Sequence, residues 1–310
     1  MAYLKKNLFC LLVTVLSSLV AYGQDNPKVD RLCDKGDEYL YSDDNADSST
    51  KNLHKAIDFY NKALAIDANN YRALCNRGIA YRYLGKSEDA SKDLNRAIDL
   101  HPELYYAYYH KSLLLRDDGL YEQALENALS TYTGDPDIDL FTLRNIGDLY
   151  DELGAYDSAY QYFSMALDLK PKTVDILLLR SITSLKSGWY DRTITDCNKI
   201  LSFDASVLSA YNQRGQAYHH LEQYDQAIAN FKKAISIMSK NKSASLDSVK
   251  TSYCHNNLAN SYFAKAETEK ACTHWQKALD FGYTYEPEFL KLYKIEDPQV
   301  LMDKNCKSDQ

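Results

Sequence analysis

The stretch Tyr71–Pro102, YRALCNRGIAYRYLGKSEDASKDLNRAIDLHP, decides the fold of this 310-residue chain. Within it, small residues alternate with larger apolar ones at fixed distances, and a proline closes the pattern. The pattern returns at a period of about 34 residues, which is typical of stacked helical hairpins. Three matches consist of Gly78, Tyr81, Ala90, Leu94, Ala97 and Pro102; of Gly147, Tyr150, Ala159, Phe163, Ala166 and Pro171; and of Gly215, Tyr218, Ala227, Phe231 and Ala234.

The small residues of this pattern predict where the two helices of a hairpin approach each other closely. We expect Gly78 to face Ala90 across one hairpin and Gly215 to face Ala227 across another. Along the second helix the apolar positions recur at i, i+4 and i+7, which places them on one face. The repeated residues therefore predict packing and carry no chemistry of their own.

Glycine and proline predict the ends of the helices. Pro102 stops a second helix, because proline lacks an N–H and disfavours helix in the residue before it. Glycine commonly follows a helix C-terminus. Four glycines at equivalent places predict the ends of first helices: Gly85, Gly119, Gly154 and Gly188.

The whole pattern resembles the tetratricopeptide repeat, W-x2-L-G-x2-Y followed by A-x3-F-x2-A and proline. The resemblance implies an all-α fold, a right-handed superhelix (α-solenoid) of about seven helical hairpins. A C-terminal helical cap is expected over residues 284–310. We assign the copies to residues 29–70, 71–104, 105–139, 140–173, 174–207, 208–241 and 252–283.

Two polar stretches interrupt the repetition. Ser42–Lys51 holds no apolar residue larger than alanine and predicts a solvated loop inserted in copy one. Lys240–Lys250 is a polar spacer before copy seven. Copy five keeps only small or apolar substitutes at the marked positions, which still suits continued packing.

The first 23 residues have the form of a secretory signal peptide. Lys5 and Lys6 precede the apolar run Leu8–Val20, and Ala21-Tyr22-Gly23 offers small residues for cleavage before Gln24. We therefore expect an exported protein, periplasmic or secreted, with no transmembrane segment once the signal is removed. The alternative is an uncleaved anchor, for which the apolar run is short.

The charge of the chain argues against nucleic acid as a partner. The formal net charge is −7 at pH 7, and loss of the two signal-peptide lysines makes it more negative. An acidic protein repels phosphate backbones, and the chain has no basic cluster to offset this.

Six cysteines follow the signal segment, and an exported chain can form disulfides. Cys272 opens the last repeat helix, and Cys306 follows two short helix candidates near the C-terminus. Small exported bacterial repeat proteins with an A-C-x2-W-x-K-A ending look similar and carry a late cysteine. We therefore hypothesise a Cys272–Cys306 disulfide, the alternative being two buried or free thiols.

No catalytic motif accompanies the repeats. The chain has no nucleophile elbow, phosphate-binding glycine loop or dinucleotide fingerprint, so we expect no enzyme activity and no cofactor. Cys254-His255 and Cys272-x-His274 fall in one hairpin and suggest a metal site at first sight. Adjacent helical residues point about 100° apart, so Cys254 and His255 do not both face one ion easily. We therefore predict no metal.

The resemblance implies a concave groove lined by the first helices of successive copies. Projected onto this chain, the groove-lining positions are Arg72, Arg82, Tyr106, Tyr109, Arg116, Arg144, Asp148, Asn212, Gln216, Asn256 and Asn260. Tyrosine and arginine give contact area and bidentate hydrogen bonds to a ligand, the alternative being ordinary packing between repeats. The amides form a ladder suited to a peptide backbone, the alternative being a wet polar surface.

These features predict a non-enzymatic scaffold of the bacterial cell envelope that holds a protein or peptide in its groove. The alternative is an envelope protein that binds an oligosaccharide or another small ligand for nutrient uptake. Bacterial uptake proteins of that kind resemble larger, lipidated chains, and this chain has neither feature.

Overall fold

The computed structural model describes residues 26–42, 46–240, 247–282 and 297–306, and every regular element in those ranges is a helix. The predicted signal segment 1–23 lies outside the described residues. Fifteen helices are described: Pro27–Leu40, Ala46–Leu64, Tyr71–Tyr83, Ser87–Leu100, Tyr105–Asp117, Tyr121–Leu129, Pro136–Glu152, Tyr156–Leu169, Val174–Lys186, Tyr190–Phe203, Leu208–His220, Tyr224–Lys240, Asp247–Ala264, Thr268–Asp280 and Pro298–Asn305. The predicted all-α fold of helical hairpins is confirmed.

The chain forms two compact units, residues 1–154 and 155–310. In the first unit, each first helix of copies one to three packs against its own second helix, and the first helices of copies one to four contact each other in succession. This creates an inner layer of first helices. In the second unit the same pairing holds for copies five to seven, and their first helices also contact in succession.

Glycine allows the predicted close approach within two hairpins. A Cβ added to Gly78 would lie 2.9 Å from Leu94 Cγ and 3.2 Å from the carbonyl oxygen of Ala90, so Gly78 does face Ala90. At Gly215 the first obstacle is the Phe231 ring, 2.6 Å away. The repeated aromatic or leucine residue therefore fills the space that glycine leaves.

The four predicted helix-ending glycines all adopt left-handed backbone conformations, with φ between 71° and 78°. Two other residues occupy the same place in copies six and seven. Glu222 has φ 59° and Ala266 has φ 60°, a region that side chains with a Cβ rarely adopt. The turn geometry is thus kept even where the sequence lacks glycine.

Two expectations about helix bounds were wrong. The predicted loop Ser42–Lys51 is partly helical, because the second helix of copy one begins at Ala46. Polar residues extend a helix without difficulty where that turn faces solvent, and the exposed side chain of Lys51 fits this reason. The first helix of copy four begins at Pro136, inside the range assigned to copy three, and Pro at the first helical turn is well tolerated.

A repeated arginine links neighbouring copies. Arg77 donates from Nε and NH2 to both carboxylate oxygens of Asp93, at 2.6 and 2.7 Å, and from NH1 to Asn61 of the preceding copy at 2.6 Å. Each partner lies 16 residues away in the sequence. The arrangement recurs twice in the second unit, as Arg180 with Asp196 and Ser164, and as Arg214 with Asn230 and Asn198.

The C-terminal helix packs on the last hairpin. Cys306 and Cys272 form a disulfide, the pairing expected above, with their Cα atoms 5.7 Å apart. Leu301 is buried in the same apolar cluster as Leu258 and Trp275. Residues 297–306 therefore cap the apolar end of copy seven. The remainder of the predicted cap lies outside the described residues.

Candidate functional site: the inner face of the first unit

Arg72 is held by the fold. Its NH2 lies 2.6 Å from Asp34 Oδ1 and 2.6 Å from Asp37 Oδ2, both in copy one. The same Asp37 accepts hydrogen bonds from the Tyr60 hydroxyl at 2.6 Å and from Asn76 at 2.7 Å. These two carboxylates raise the pKa of Arg72 against the effect of its burial. Arg72 therefore joins copies one and two.

Arg82 is also committed to a neighbouring copy. Its Nε donates to Asp117 Oδ2 at 2.8 Å, and its side chain is 12% exposed. Arg72 and Arg82 were predicted to line the groove, yet each forms an ion pair with an aspartate of the preceding or the next copy. The charge that the sequence shows at Arg72 and Arg82 is thus largely neutralised in the structure.

Tyr106 and Tyr109 surround a buried histidine. The Tyr106 and Tyr41 hydroxyls are 2.8 Å apart, which joins copy three to copy one. Both tyrosine rings meet His110 edge-on, with centroids 4.4 and 5.3 Å away. His110 is 1% exposed, and neither of its ring nitrogens has a hydrogen-bond partner among the described residues. Burial, assisted by Arg82, lowers its pKa well below the ordinary value, so the ring is neutral.

Arg116, Arg144 and Asp148 form a looser group. Arg116 NH1 donates to Asn145 Oδ1 at 3.1 Å but lies 3.6 Å from Asp148 Oδ2. Arg144 Nε lies 3.9 Å from the same oxygen, beyond hydrogen-bond range, and has no partner among the described residues. Neither arginine forms a close ion pair with Asp148, and the side chains of Arg116 and Arg144 remain 29% and 30% exposed.

The position of Asp148 disfavours the charged form of its carboxylate. Burial raises its pKa to about 6, although Arg144 and Arg116 act in the opposite direction. The loose contacts explain why the two arginines do not overcome desolvation. Asp148 therefore changes charge near neutral pH, between two guanidinium groups.

Tyr83 and Tyr109 complete this surface. Tyr83, in the last turn of the first helix of copy two, is 46% exposed and lies near enough to Tyr109 to influence its pKa. Burial raises the pKa of Tyr109, while Arg144 and Arg116 oppose that rise. We call Tyr83, Tyr109, Arg116, Arg144 and Asp148 the arginine–tyrosine patch. It combines the exposed ring of Tyr83 with two partly exposed guanidinium groups.

The amides of the second unit are mostly used inside the fold. Asn256 is fully buried, and Asn260 accepts a hydrogen bond from Trp275 Nε1 at 2.9 Å. One amide–amide hydrogen bond joins copies six and seven, from Asn257 Nδ2 to Asn212 Oδ1 at 3.3 Å. The predicted ladder of amides is therefore wrong at Asn256, which is buried, and the half-buried Asn260 has its side-chain oxygen engaged by Trp275. Gln216 stays half-buried on its helix.

Sequence reasoning missed three residues of the inner face. Tyr41, Tyr83 and His110 were not assigned to it, although Tyr83 and His110 stand next to assigned positions. Exposed tyrosine near the end of a first helix, and histidine at a packing position, are the signals that point to them.

The remaining thiols suit packing. Burial raises the pKa of Cys33, Cys197 and Cys254 to about 12, so they stay protonated and unreactive. In the described part of the chain, no three His, Cys, Asp or Glu residues are grouped to hold a metal ion. Nor does that part contain a helix long and apolar enough to cross a membrane.

Helical hairpins that stack copy on copy around small residues define an α-solenoid repeat protein. Two family models, both described as the tetratricopeptide repeat, match this chain. One matches residues 71–104 and 209–241, and the other residues 45–70 and 145–173. These four stretches match the tetratricopeptide repeat and, with the stacked hairpins, support a tetratricopeptide repeat protein.

Curated relatives share only part of their length with this chain. Superkiller protein 3 of Schizosaccharomyces pombe is 32% identical over 142 residues, which are 45% of this chain and 10% of that protein. The DnaJ protein P58IPK homolog of Arabidopsis thaliana is 28% identical over 188 residues, covering 60% of this chain and 34% of that protein. The chain thus spans about a third or less of these two relatives.

Solved structures show the same fold. A tetratricopeptide repeat protein from Parabacteroides merdae superposes with a TM-score of 0.59 at 22% identity, covering 87% of this chain and 98% of that one. YrrB, described as a TPR protein with an unusual peptide-binding site, gives a TM-score of 0.50 at 17% identity, covering 59% and 93%. At these identities the likeness concerns the fold alone.

Proposed function

We propose that this chain is a non-enzymatic scaffold that binds an extended protein segment or peptide on the arginine–tyrosine patch. The observation that carries the proposal is the loose contact of the partly exposed Arg116 and Arg144 with Asp148, at 3.6 and 3.9 Å. Tetratricopeptide repeat proteins generally bind proteins or peptides, which supports this assignment.

The chemistry of the patch favours an acidic ligand. A carboxylate or backbone carbonyl accepts from guanidinium donors, and tyrosine rings add contact area at low entropic cost. Protonation of Asp148 below pH 6 removes the competing carboxylate and leaves two positive groups facing the ligand. We therefore expect acidic peptides to bind more tightly at pH 5.5 than at pH 7.5.

A peptide selection tests the proposal. Peptides selected from a displayed random library on the intact protein are measured by fluorescence anisotropy against Arg116→Ala/Arg144→Ala and the matched control Lys92→Ala/Arg96→Ala. The control removes equal charge from exposed positions on a second helix. The patch variant is expected to lose about 30-fold or more in affinity, as central arginine contacts do. Equal affinity in the two variants would contradict the assignment.

We further propose that the scaffold works in the bacterial cell envelope. The sequence of residues 1–23 and the Cys272–Cys306 disulfide support export, because disulfides persist in oxidising compartments. Mass spectrometry of the N-terminus after cell fractionation tests this. A chain beginning at Gln24 in the envelope fraction is expected, and an intact Met1 in the cytosol would overturn it.

A further inference from the structure

Two histidines meet head to head in the last hairpin. His255 lies on the first helix of copy seven and His274 on the second, and their Nδ1 atoms are 2.9 Å apart. The ring centroids are 5.1 Å apart and the planes differ by 20°. The distance between the ring centroids is longer than the distance between the two Nδ1 atoms by about twice the distance from a ring centre to its nitrogen. The two nitrogens therefore lie close to the line that joins the ring centres, and their in-plane lone-pair directions face each other.

This contact determines which ring nitrogens of the two histidines carry a proton. A neutral imidazole has one N–H and one acceptor nitrogen, so a single N–H···N bond requires opposite tautomers in the two rings. A ring that carries its proton on Nε2 offers the Nδ1 lone pair, and the neutral imidazole is the form that binds metal ions.

Aromatic rings flank both imidazoles, and the described residues group no third His, Cys, Asp or Glu with them to hold a metal ion. Phe281 lies parallel to the His255 ring, and Tyr262 lies parallel to the His274 ring, each with centroids 5.7 Å away. Cys254 directs its sulfur to Asn212, 3.6 Å away, and Cys272 is in the disulfide. The disulfide therefore removes Cys272 from the four-residue arrangement that the sequence suggested at first sight.

Charge and geometry select one class of ion. Lys277 lies near both rings and Lys232 near His274, so a divalent cation meets more repulsion than a monovalent one. Two opposed nitrogen lone pairs suit linear coordination, which monovalent d10 ions adopt. With metal–nitrogen bonds of about 2 Å, the nitrogens separate to about 4 Å on binding. His274 is half-buried, and a side-chain rotation supplies that movement.

We propose that Nδ1 of His255 and Nδ1 of His274 form a linear two-coordinate site for a monovalent soft ion, Cu(I) or Ag(I). On binding, the ring that carries its proton on Nδ1 transfers it through solvent to its own Nε2. The ion takes the position between the nitrogens, no net proton is released at pH 7, and no electron is transferred. The site is independent of the arginine–tyrosine patch, which lies in the other unit.

Silver ion is the probe of choice, because it does not change oxidation state in air and its spin-½ nuclei couple to ¹⁵N. The intact protein is titrated in chloride-free buffer while the histidine ring nitrogens are followed by ¹H–¹⁵N spectra. Six equivalents, one for the site and one for each of the five cysteines outside the disulfide, are expected to shift both Nδ1 resonances, split them by silver coupling and abolish the Nδ1–H tautomer. Unchanged resonances of His255 and His274 at that ratio would overturn the proposal without recourse to any variant.

Substitutions separate this site from the thiols and from other histidines. His274→Gln keeps a hydrogen-bonding group beside His255, and loss of one of two ligands is expected to weaken Ag(I) binding at least about 100-fold. Cys254→Ser and His101→Gln, at a half-buried histidine in the other unit, serve as controls and are expected to bind as the wild type does. A loss of affinity in Cys254→Ser, undiminished binding in His274→Gln, or equally tight Zn²⁺ binding at the same nitrogens would contradict a linear histidine site.

Discussion

Arg180 and Asp196 form a forked ion pair across one hairpin, with Nε–Oδ2 at 2.9 Å and NH2–Oδ1 at 2.6 Å. NH1 of the same arginine reaches Ser164 of the preceding copy at 2.9 Å. One guanidinium thus joins two second helices to a first helix. In copy six the equivalent partner of Arg214 is the neutral Asn230, so the chain offers the same geometry with and without the carboxylate.

These two sites predict unequal costs for the same substitution. Arg180→Ala leaves Asp196, 2% exposed, as an uncompensated buried charge, which costs about 3–5 kcal/mol. Arg214→Ala leaves only a neutral amide without its partner, at about 1–3 kcal/mol. Urea unfolding of both variants measures the difference. Equal losses in the free energy of unfolding would show that the carboxylate of Asp196 is not held by Arg180 alone.

Glu222 and Ala266 adopt the left-handed backbone conformation although neither is glycine, so glycine at these positions should stabilise the fold. The left-handed conformation costs a residue with a Cβ about 1–2 kcal/mol, while glycine adds about 0.5–1 kcal/mol of unfolded-state entropy. Glu222→Gly and Ala266→Gly, both exposed, are therefore expected to raise the free energy of unfolding by up to about 1 kcal/mol each. Thermal unfolding checks this, with the exposed helical Glu269→Gly as a control that is expected to destabilise.

The disulfide predicts a redox-dependent cap. A crosslink that closes a loop of this size contributes about 2–4 kcal/mol, so Cys272→Ser/Cys306→Ser is expected to lower Tm. Amide hydrogen exchange is expected to rise first in residues 298–305. A reductant should reproduce the effect in the wild type and leave the double variant unchanged. A Tm of the wild type that does not respond to reductant would argue against the bond.

Asp148 predicts a pH-dependent stability difference. The pKa of Asp148 is raised to about 6 in the folded state, whereas an unfolded aspartate titrates near 4. The folded state therefore holds this proton more tightly, and the resulting stabilisation is complete below pH 4 and is lost as the pH rises through 6. Asp148→Asn removes this loss. The variant is expected to match the wild type at pH 4 and to exceed it at pH 8 by no more than about 3 kcal/mol.

Urea titrations at several pH values measure that difference, with the exposed Asp99→Asn as the control. A constant offset between Asp148→Asn and the wild type from pH 4 to pH 8 would mean that Asp148 titrates as a solvated carboxylate.

The sequence predicted what depends on spacing. Repeated small and aromatic residues located the hairpins, and glycines such as Gly85 located the turns, because these follow from helix geometry alone. It did not predict side-chain partners. Arg82 and Asp117 stand one residue more than a period apart, and nothing in the periodicity says that they pair. Asn260 likewise looked available for a ligand, and only the position of Trp275 on the facing helix shows otherwise.

Photo-crosslinking tests the central claim, that a peptide binds the arginine–tyrosine patch, most directly. p-Benzoylphenylalanine replaces either Tyr83, on the patch, or Tyr132, which is 57% exposed after the second helix of copy three. A labelled peptide selected on the intact protein is predicted to crosslink at position 83, to be displaced by unlabelled peptide, and to leave position 132 unmodified. Crosslinking at position 132 with none at position 83 would contradict the account.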